Sequence, residues 1–387
     1  MPGYHSAAQS EVRRNTCVGD RSGSRVIRRA PSRLSLLAIA LMAVVVGGCA
    51  SDDPTNLESI VEGDFPQNSL NPAGPQARQI DDLFWLVFWI ATVVFVLVMV
   101  VLIYSIVRYR HREGRDRPVK QVHGNTRLEI VWTIIPAVVL AAIAVPTLAT
   151  IFDLRSEPAL DENALQVEVI GHQWWWEFRY PEYGFSTANE MHIPTGRPVY
   201  LSITSVDVIH SFWIPQLNGK RDAVPGRVAH LTIQADDPGV YLGQCAEFCG
   251  LAHADMRQRV FAHQEADFEA WAVAQAQPAV IPTEGLAAEG WETFRTVCSA
   301  CHAIDGTEAT TQLAPNLTHF ASRTSFGGAT FDNTEEHLRA WLRNPSDLKP
   351  MRPDRNDLAA GRILGMPDFG LTEDQIDGLL ALLESLK

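Results

Sequence analysis

Soft metal-ligand side chains are concentrated in one short stretch of the chain. Two thiols, an imidazole and a thioether lie within twelve residues, at Cys245, Cys249, His253 and Met256. A second histidine, His210, precedes them. Thiolate, thioether and imidazole are ligands that suit copper. The residue types and their spacing therefore indicate a copper site built from one loop and one upstream histidine.

The number of thiols distinguishes between possible metal sites. One thiolate with two imidazoles and a weak thioether makes a mononuclear blue-copper site. Two thiolates can instead bridge two coppers, with one histidine for each metal and with Met256 and the carbonyl of Glu247 as weak outer ligands. A disulfide leaves both histidines unexplained, and structural zinc leaves Met256 unexplained. The pattern favours a binuclear electron-transfer centre, with disulfide and zinc as the alternatives.

A second redox signature follows at Cys298, Cys301 and His302. Two thiols three positions apart can add across the vinyl groups of a haem, and the adjoining imidazole can then ligate the iron. An amphipathic helix is predicted from Gly290 into this motif. A capping box at Thr372 predicts the start of the last helix. These features indicate covalent haem c in a small helical domain.

Two methionines are candidates for the sixth ligand of this iron. Met366 precedes the last helix in a Met-Pro pair, and Met351 is the alternative. Methionine opposite histidine raises the potential of a haem, which suits a donor to copper. We expect Met366 to be the ligand.

These motifs resemble those of a known family. The loop that ends at Met256, the pair Asp207 and His210, and the run Gly171–Phe178 look like subunit II of cytochrome c oxidase and its CuA domain. That likeness extends from about residue 81 to about residue 271. Residues from about 283 to 387 resemble a class I cytochrome c. The resemblance implies that Met366 occupies the position of the family's axial methionine.

The resemblance also implies roles for individual residues. Trp174 matches the aromatic through which electrons enter the copper site, and Trp176 lies on the same strand. Glu129 matches a carboxylate at the cytoplasmic mouth of a proton channel. The Glu247 side chain matches a position that holds magnesium at the interface with subunit I, next to the stretch 220–226. Packing of the tryptophans in the sandwich, and a helix-boundary role for Glu129, are the alternatives.

The amino-terminal region is typical of a secretory leader. Basic residues precede an apolar run from Leu34 to Val46, which is too short to span a membrane. The run ends at Cys49, in a sequence that resembles a lipoprotein cleavage site. We expect Cys49 to become the lipidated first residue, with ordinary signal-peptidase cleavage as the alternative. Cys17 would be removed with the leader.

Two longer apolar segments predict membrane-spanning helices. Leu83–Val107 and Ile130–Phe152 contain no charged residue, and each is long enough to cross the hydrocarbon core. The loop over 108–128 is rich in Lys and Arg, which predicts that it is cytoplasmic. The metal and haem motifs are therefore expected on the outer face of a bacterial cell membrane.

The region between the membrane segments and the haem motif reads as β structure. Short runs rich in β-branched and aromatic residues alternate with Gly, Pro and Asp. A cupredoxin-like sandwich follows from the resemblance. The expected fold is a multidomain membrane protein that combines a two-helix transmembrane hairpin, an all-β cupredoxin-like sandwich and an all-α cytochrome c domain. The expected boundaries are a leader over 1–48, an external segment over 49–80, the hairpin over 81–153, the CuA domain over 154–271, a linker over 272–283 and the cytochrome c domain over 284–387.

Charge adds a weaker argument about partners. The chain has 32 basic and 45 acidic residues, and much of the basic charge lies in the leader and the 108–128 loop. The remainder is acidic, which can steer a basic cytochrome c, although a merely solvated surface is an equal alternative. No basic patch suggests a nucleic-acid partner.

The resemblance implies the electron-input subunit of a haem–copper terminal oxidase. Electrons would pass from cytochrome c or a quinol:cytochrome c reductase to the haem c of this chain, then to binuclear CuA, then to subunit I, where oxygen is reduced to water with proton translocation. Subunit III and membrane lipid are further expected partners. The alternatives are the equivalent subunit of a CuA-type nitric oxide reductase and a membrane-tethered copper-binding protein. A quinol oxidase subunit II would lack the copper ligands.

Overall fold

The structure is a computed structural model that describes residues 67–111, 121, 123–155, 163–352 and 364–387. The expected leader 1–48, the lipidation site Cys49 and most of the basic loop lie outside the described residues. The described part contains two long apolar helices, a β-sandwich and a helical carboxy-terminal region, so the predicted fold class is confirmed.

The two apolar helices are longer than their sequence prediction. Helix α1 spans Pro75–Tyr109 and helix α2 spans Thr126–Arg155. Both are long and apolar enough to cross a membrane. Pro136 and Pro146 lie inside α2, and a spanning helix tolerates such residues when neighbouring groups satisfy the freed carbonyls.

The start of α1 is attached to the sandwich. The backbone N–H of Ala73 donates to the Gln216 carbonyl at 2.8 Å, and the N–H of Asp236 donates to the Ala73 carbonyl at 2.9 Å. Arg78 forms an ion pair with Asp236. Helix α1 and the sandwich are therefore joined at this point by main-chain and side-chain contacts.

The sandwich consists of two five-stranded sheets. One sheet has the order β3-β2-β1-β5-β8, and the other has the order β4-β10-β9-β6-β7. The strands are β1 Leu165–His172, β2 Trp175–Tyr180, β3 Phe185–Ala188, β4 Glu190–Pro194, β5 Val199–Ser205, β6 His210–Trp213, β7 Arg221–Ala223, β8 Ala229–Ile233, β9 Gly239–Cys245 and β10 Arg257–His263. Alternate side chains of β5 are buried between the sheets, as expected for strands with one face on a core.

Helix α3, Glu265–Gln275, follows β10 and packs on the sandwich through Phe268 and Ala272. The first residues of the expected linker 272–283 are therefore helical. The linker then contacts the haem-motif region, because the N–H of Ala279 donates to the Asp305 carbonyl at 3.0 Å. The chain does not leave the sandwich as an extended coil.

The carboxy-terminal region is built on helices α4 Leu286–Thr293, α5 Glu335–Arg343, α6 Pro345–Leu348 and α7 Glu373–Ser385, with a short hairpin of β11 Ser325–Phe326 and β12 Phe331–Asp332. Helices α4 and α7 cross at two glycines: a Cβ added to Gly290 would lie 1.9 Å from the carbonyl oxygen of Gly378. Helix α4 continues as a π-helical turn, Phe294–Cys298, into the haem motif. The predicted capping box of Thr372 and Gln375 begins α7.

Candidate functional site

The loop between β9 and β10 brings the three sulfur atoms together. The Cys245 and Cys249 Sγ atoms are 3.8 Å apart, and the Cys249 Sγ is 3.8 Å from the Met256 Sδ. The N–H of Cys245 donates to the Met256 carbonyl at 2.8 Å, which closes the loop. Both cysteines and the methionine are buried. A disulfide bond is about 2.05 Å long, so the two cysteines are not joined in this structure.

Each cysteine faces one of the two predicted histidines. His210, at the start of β6, has its Nδ1 3.9 Å from the Cys245 Sγ. His253 has its Nδ1 3.5 Å from the Cys249 Sγ. The carbonyl oxygen of Glu247 lies 3.2 Å from the Cys245 Sγ, while its side chain is exposed. The structure thus brings together all six residues that the sequence placed in a metal site, including Met256.

Two residues fix the orientation of His210. The Asp207 carboxylate lies 2.9 Å from His210 Nε2, so it accepts the Nε2 proton and leaves Nδ1 to face the sulfur. Gly171 leaves the space for the ring, because a Cβ there would lie 2.7 Å from His210 Cδ2. Burial lowers the pKa of His210, but its hydrogen bonds to Asp207 and Cys245 outweigh burial and raise it.

The two thiols differ in how readily they ionise. Contacts with the Cys249 thiol and with His210 lower the pKa of Cys245, although burial opposes this. The pKa of Cys249 is raised by the same interaction and by burial. A metal that binds both sulfurs must therefore displace the proton of Cys249.

The donor set fits copper better than zinc. Ligand atoms of His210, Cys245 and Cys249 lie within 4.8 Å of one another. A tetrahedral zinc site is complete with two cysteines and two histidines, yet the fully buried Met256 adds a thioether next to Cys249. Two adjacent sulfurs with one imidazole beside each make a soft donor set of the kind that copper prefers.

The haem motif lines a cavity in the carboxy-terminal region. Cys298, Cys301 and His302 line it, together with apolar residues that include Phe294, Leu317, Phe326, Leu338, Leu342, Leu379 and Leu383. His302 Nδ1 donates to the Pro315 carbonyl at 2.7 Å, which leaves Nε2 without its proton. Burial lowers the pKa of His302, which favours the neutral imidazole that can bind a metal. An apolar cavity with two thiols and one neutral imidazole fits a covalently attached haem.

Both candidate axial methionines line this cavity. The Met366 Sδ lies 3.2 Å from Trp341 Nε1, which donates to it. Met351 is buried and packs against Gly365, where a Cβ would lie 2.5 Å from its Sδ. The assignment of Met366 stays a prediction.

Trp174 lies between the two centres. Its indole Nε1 donates to the Cys249 carbonyl at 3.0 Å, and its ring is also part of the lining of the haem cavity. Trp176 is fully buried, with its ring 5.8 Å from that of His210 in an edge-to-face arrangement. Trp174 therefore contacts both sites, whereas Trp176 supports a copper-site histidine from the sandwich core.

Glu129 lies in the first turn of membrane helix α2. Its carboxylate accepts the backbone N–H of Asn125 at 3.1 Å, and the Asn125 side chain accepts the N–H of Leu128 at 3.2 Å. These bonds cap the start of the helix. The carboxylate thus has a boundary role, which is compatible with the proton-channel role that the resemblance implies.

Three residues that support the site are not among the predicted site residues. Asp207 forms part of a motif, and its spacing of three from His210 is a signal for an orienting carboxylate. Glu190 and Lys349 are both buried between the sandwich and the carboxy-terminal region. No local motif marks these two residues, because their partners are distant in sequence.

Three parts of this chain match models of known protein families. Family models match for the cytochrome c oxidase subunit II transmembrane domain over residues 66–150, the periplasmic domain of the same subunit over 184–262, and cytochrome c over 287–387. Cytochrome c oxidase subunit 2 of Alkalihalophilus pseudofirmus is 36% identical over 91% of this chain and 96% of its own length.

Two further similarities concern part of the chain. Quinol oxidase subunit 2 of Bacillus subtilis is 38% identical over 63% of this chain and 72% of its own length. The crystal structure of the periplasmic domain of subunit II of cytochrome oxidase from Bradyrhizobium japonicum is 30% identical over 29% of this chain and 92% of that chain, with a TM-score of 0.28. The relative that matches nearly from end to end, and the three family models, place this chain in the cytochrome c oxidase subunit II family, in a form that carries a carboxy-terminal cytochrome c domain.

Proposed function

We propose that this chain is the electron-input subunit of a haem–copper terminal oxidase, in which electrons pass from its own haem c to a binuclear CuA centre and then to subunit I. Oxygen is reduced to water in subunit I, coupled to proton translocation. The observation that supports this best is the position of Trp174, which lines the haem cavity and donates to the Cys249 carbonyl.

Six residues would hold the copper pair. Cys245 and Cys249 supply the bridging sulfurs, His210 and His253 supply one nitrogen for each ion, and Met256 and the Glu247 carbonyl are weak outer ligands. When bound, such a pair stores and releases one electron at a time. The protein's own contribution is rigidity: β6 and β9 hold His210 and Cys245 at the end of the sandwich, so the ligands need to move little on oxidation.

The carboxy-terminal domain would hold haem c through thioether bonds to Cys298 and Cys301. His302 is held for ligation by the Pro315 carbonyl, and Met366 would complete the coordination. The neutral thiol of Cys298, whose pKa burial raises to about 12, retains the proton that is added to the vinyl group together with the sulfur.

The contacts of Trp174 provide a short route between the two centres. The route consists of the Cys249 main chain, one hydrogen bond of 3.0 Å and the indole ring. Gly250 allows this approach, because a Cβ there would lie 3.2 Å from Trp174 Cζ2 and because its φ is +114°. Trp176, behind His210, would keep that ligand in place rather than carry electrons in.

The surface around the copper loop suits a large partner. Phe248 is 75% exposed, Leu251 is 50% exposed and Ile209 is 46% exposed. Clusters of exposed apolar side chains mark protein–protein contacts. We assign this surface to subunit I, with the exposed Glu247 carboxylate as a magnesium ligand at the contact. Subunit III and lipid would contact the membrane helices, with both redox domains on the outer face of the membrane and Glu129 at the cytoplasmic proton channel.

A soluble cytochrome c or a quinol:cytochrome c reductase is the proposed donor to haem c. The acidic balance of the external part favours a basic carrier. A CuA-type nitric oxide reductase subunit would share the copper ligands, and the position of Glu129 favours the oxidase. A copper-binding protein that transfers no electrons would not need a haem site, so the haem cavity beside Trp174 argues against that alternative.

Flash-photolysis kinetics on the purified oxidase would test this proposal. After photolysis of the carbon monoxide complex in the presence of oxygen, the copper pair should be oxidised first, and the haem c on His302 should then reduce it. Steady turnover in which haem c stays reduced while the copper centre cycles would show that electrons enter by another route.

A further inference from the structure

The sandwich and the haem domain bury a lysine where they meet. Lys349 follows α6 in the haem domain and is 2% exposed. Its Nζ donates to three carbonyl oxygens at 2.8 Å each, those of Trp174, Asp255 and Gly327. An ammonium group has three donors, so all of them are used. Trp174 and Asp255 belong to the sandwich, and Gly327 belongs to the haem domain.

A buried carboxylate lies on the other side of the same contact. Glu190, at the start of β4 in the sandwich, is 2% exposed. Its Oε1 accepts from the Ser325 hydroxyl at 2.6 Å, from the Thr324 hydroxyl at 2.6 Å and from the Thr324 N–H at 3.1 Å. Each domain therefore contributes one buried charge, and the other domain supplies polar groups that solvate it.

Further hydrogen bonds join the sandwich to the haem domain. The N–H of Arg257 donates to the Gly328 carbonyl at 2.8 Å, and the Thr330 hydroxyl donates to the Asp255 carbonyl at 3.0 Å. A Cβ added to Gly328 would lie 2.4 Å from the Asp255 carbonyl oxygen and 2.5 Å from Lys349 Nζ. The two backbones thus approach as closely as a glycine permits.

The two buried charged side chains and their hydrogen bonds indicate that the two domains are permanently in contact. A buried charge without partners is strongly destabilising. Burial lowers the pKa of Lys349 to about 7, so its ammonium form depends on the three carbonyls for stabilisation. Separation of the domains would remove two of the three acceptors of Lys349 and all the hydrogen-bond partners named above for Glu190, and water would have to replace them.

The lysine also acts on the residue between the two centres. It binds the main-chain carbonyl of Trp174, while the indole of the same residue binds Cys249. Main chain and side chain of Trp174 are therefore fixed by two different contacts, one toward the haem domain and one toward the copper loop.

We propose that Lys349 and Glu190 are positioning residues that keep the haem domain docked on the copper domain, so that haem-to-copper transfer occurs within one fixed arrangement and not after a search by a tethered domain. The electron-transfer part rests on the proposed function above. The docking itself does not, because it concerns only contacts within this chain.

Hydrogen exchange on the full chain in detergent tests the docking without reference to redox activity. The amides of Arg257 and Thr324 have acceptors across the contact. They should be protected in the native chain and lose protection in Lys349→Met and in Glu190→Gln. The Val169 amide, inside the sandwich, should stay protected in both. Unchanged protection at Arg257 and Thr324 in both variants would overturn the proposal.

Electron-transfer kinetics on the oxidase with haem and copper bound tests the effect of docking on haem-to-copper transfer. Haem-to-copper transfer should be single-phase and independent of added glycerol in the native chain. In Lys349→Met the transfer should become slower and multiphasic, because a released haem domain must diffuse back to its docking position. Its rate should fall further as the viscosity rises. Lys387→Met changes an exposed lysine and should behave as native, as should Glu182→Gln, which changes an exposed carboxylate of the sandwich.

If Lys349→Met fails to assemble, Ser325→Ala provides a milder variant, because it removes a single hydrogen bond to Glu190. It should lower protection at Thr324 while both centres remain. A native chain that protects the amides of Arg257 and Thr324 and yet shows no haem-to-copper transfer would refute the proposed function. That result would leave the docking proposal intact. Viscosity-independent transfer in every assembled variant would refute the positioning role.

Discussion

The indole nitrogen of Trp174 donates a hydrogen bond to the main-chain carbonyl of Cys249, 3.0 Å away. The same ring lines the haem cavity, so one side chain contacts both redox sites. The proposed route of electrons through this ring can be tested by substitution of Trp174.

Replacement of Trp174 by Leu should slow haem-to-copper transfer sharply, because the aromatic ring between the sites is lost. Both centres should still assemble with nearly unchanged potentials, and transfer from copper to subunit I should keep its rate. Trp271→Leu is the matched control, since Trp271 stacks on His192 at another part of the sandwich. Rapid-mixing kinetics separates the two steps. An unchanged first step in Trp174→Leu would mean that this residue is only sandwich packing.

The orienting carboxylate of the copper site provides a second prediction. Asp207→Ala removes the acceptor of His210 Nε2, so the ring can rotate and change its tautomer. Copper affinity should fall about 10- to 100-fold, as is usual when the hydrogen-bond partner of a ligand is removed. Equilibrium dialysis against a chelator measures this. Asp237→Ala, at an exposed site, should bind copper normally; equal affinity in both variants would refute the orienting role.

The axial ligand of the haem is tested by a pair of substitutions. Met366→His should lower the haem potential by a large margin and remove any sulfur-to-iron absorption, because methionine ligation raises the potential. Met351→His should change neither property. Redox titration and optical spectra of the full chain measure both. The reverse pattern would assign the ligand to Met351, which also lines the cavity.

Acid sensitivity of the sandwich should depend on Glu177, a buried carboxylate on β2. Burial raises its pKa, but hydrogen bonds from His172 and Arg179 outweigh burial and lower it below the ordinary value of 4.5. Ionised Glu177 therefore stabilises the fold above about pH 4.5, and this stabilisation is lost as the pH falls through its folded-state pKa. Thermal unfolding between neutral and acid pH should show a smaller acid loss in Glu177→Gln.

The matched control for that measurement is Glu182→Gln, which alters an exposed carboxylate. It should keep the native loss of stability on acidification. If Glu177→Gln has the same acid dependence as the native chain, the hydrogen bonds to His172 and Arg179 contribute nothing that depends on ionisation.

Most of the predicted metal and haem ligands belong to short local sequence motifs. Cys245, Cys249, His253 and Met256 lie within one loop, so their spacing alone places them together, and the same holds for the haem motif. Segments rich in β-branched and aromatic residues also predict strands, and strands lie at all five of them, over 166–170, 174–180, 199–203, 228–233 and 240–243. His210 is distant in sequence, so spacing alone does not place it beside the loop. Its residue type made it a candidate ligand, and the family resemblance supported that assignment.

Other features could not be predicted from local patterns. Strands β6 and β7 have four and three residues, and they include polar side chains that give no alternation to detect. The contact of Lys349 with Trp174 joins residues 175 positions apart, and Glu190 meets Ser325 across 135 positions. A buried charge in such a contact has an ordinary polar sequence around it, so only the tertiary structure identifies its partners.

Metal and haem analysis of the purified full chain tests the central claim most directly. The account predicts two coppers and one covalent haem for each chain, with a mixed-valence copper signal that Cys249→Ser abolishes while the haem is retained. One copper for each chain with a blue mononuclear spectrum, or a mixed-valence signal that survives in Cys249→Ser, would contradict the assignment of a copper pair bridged by Cys245 and Cys249.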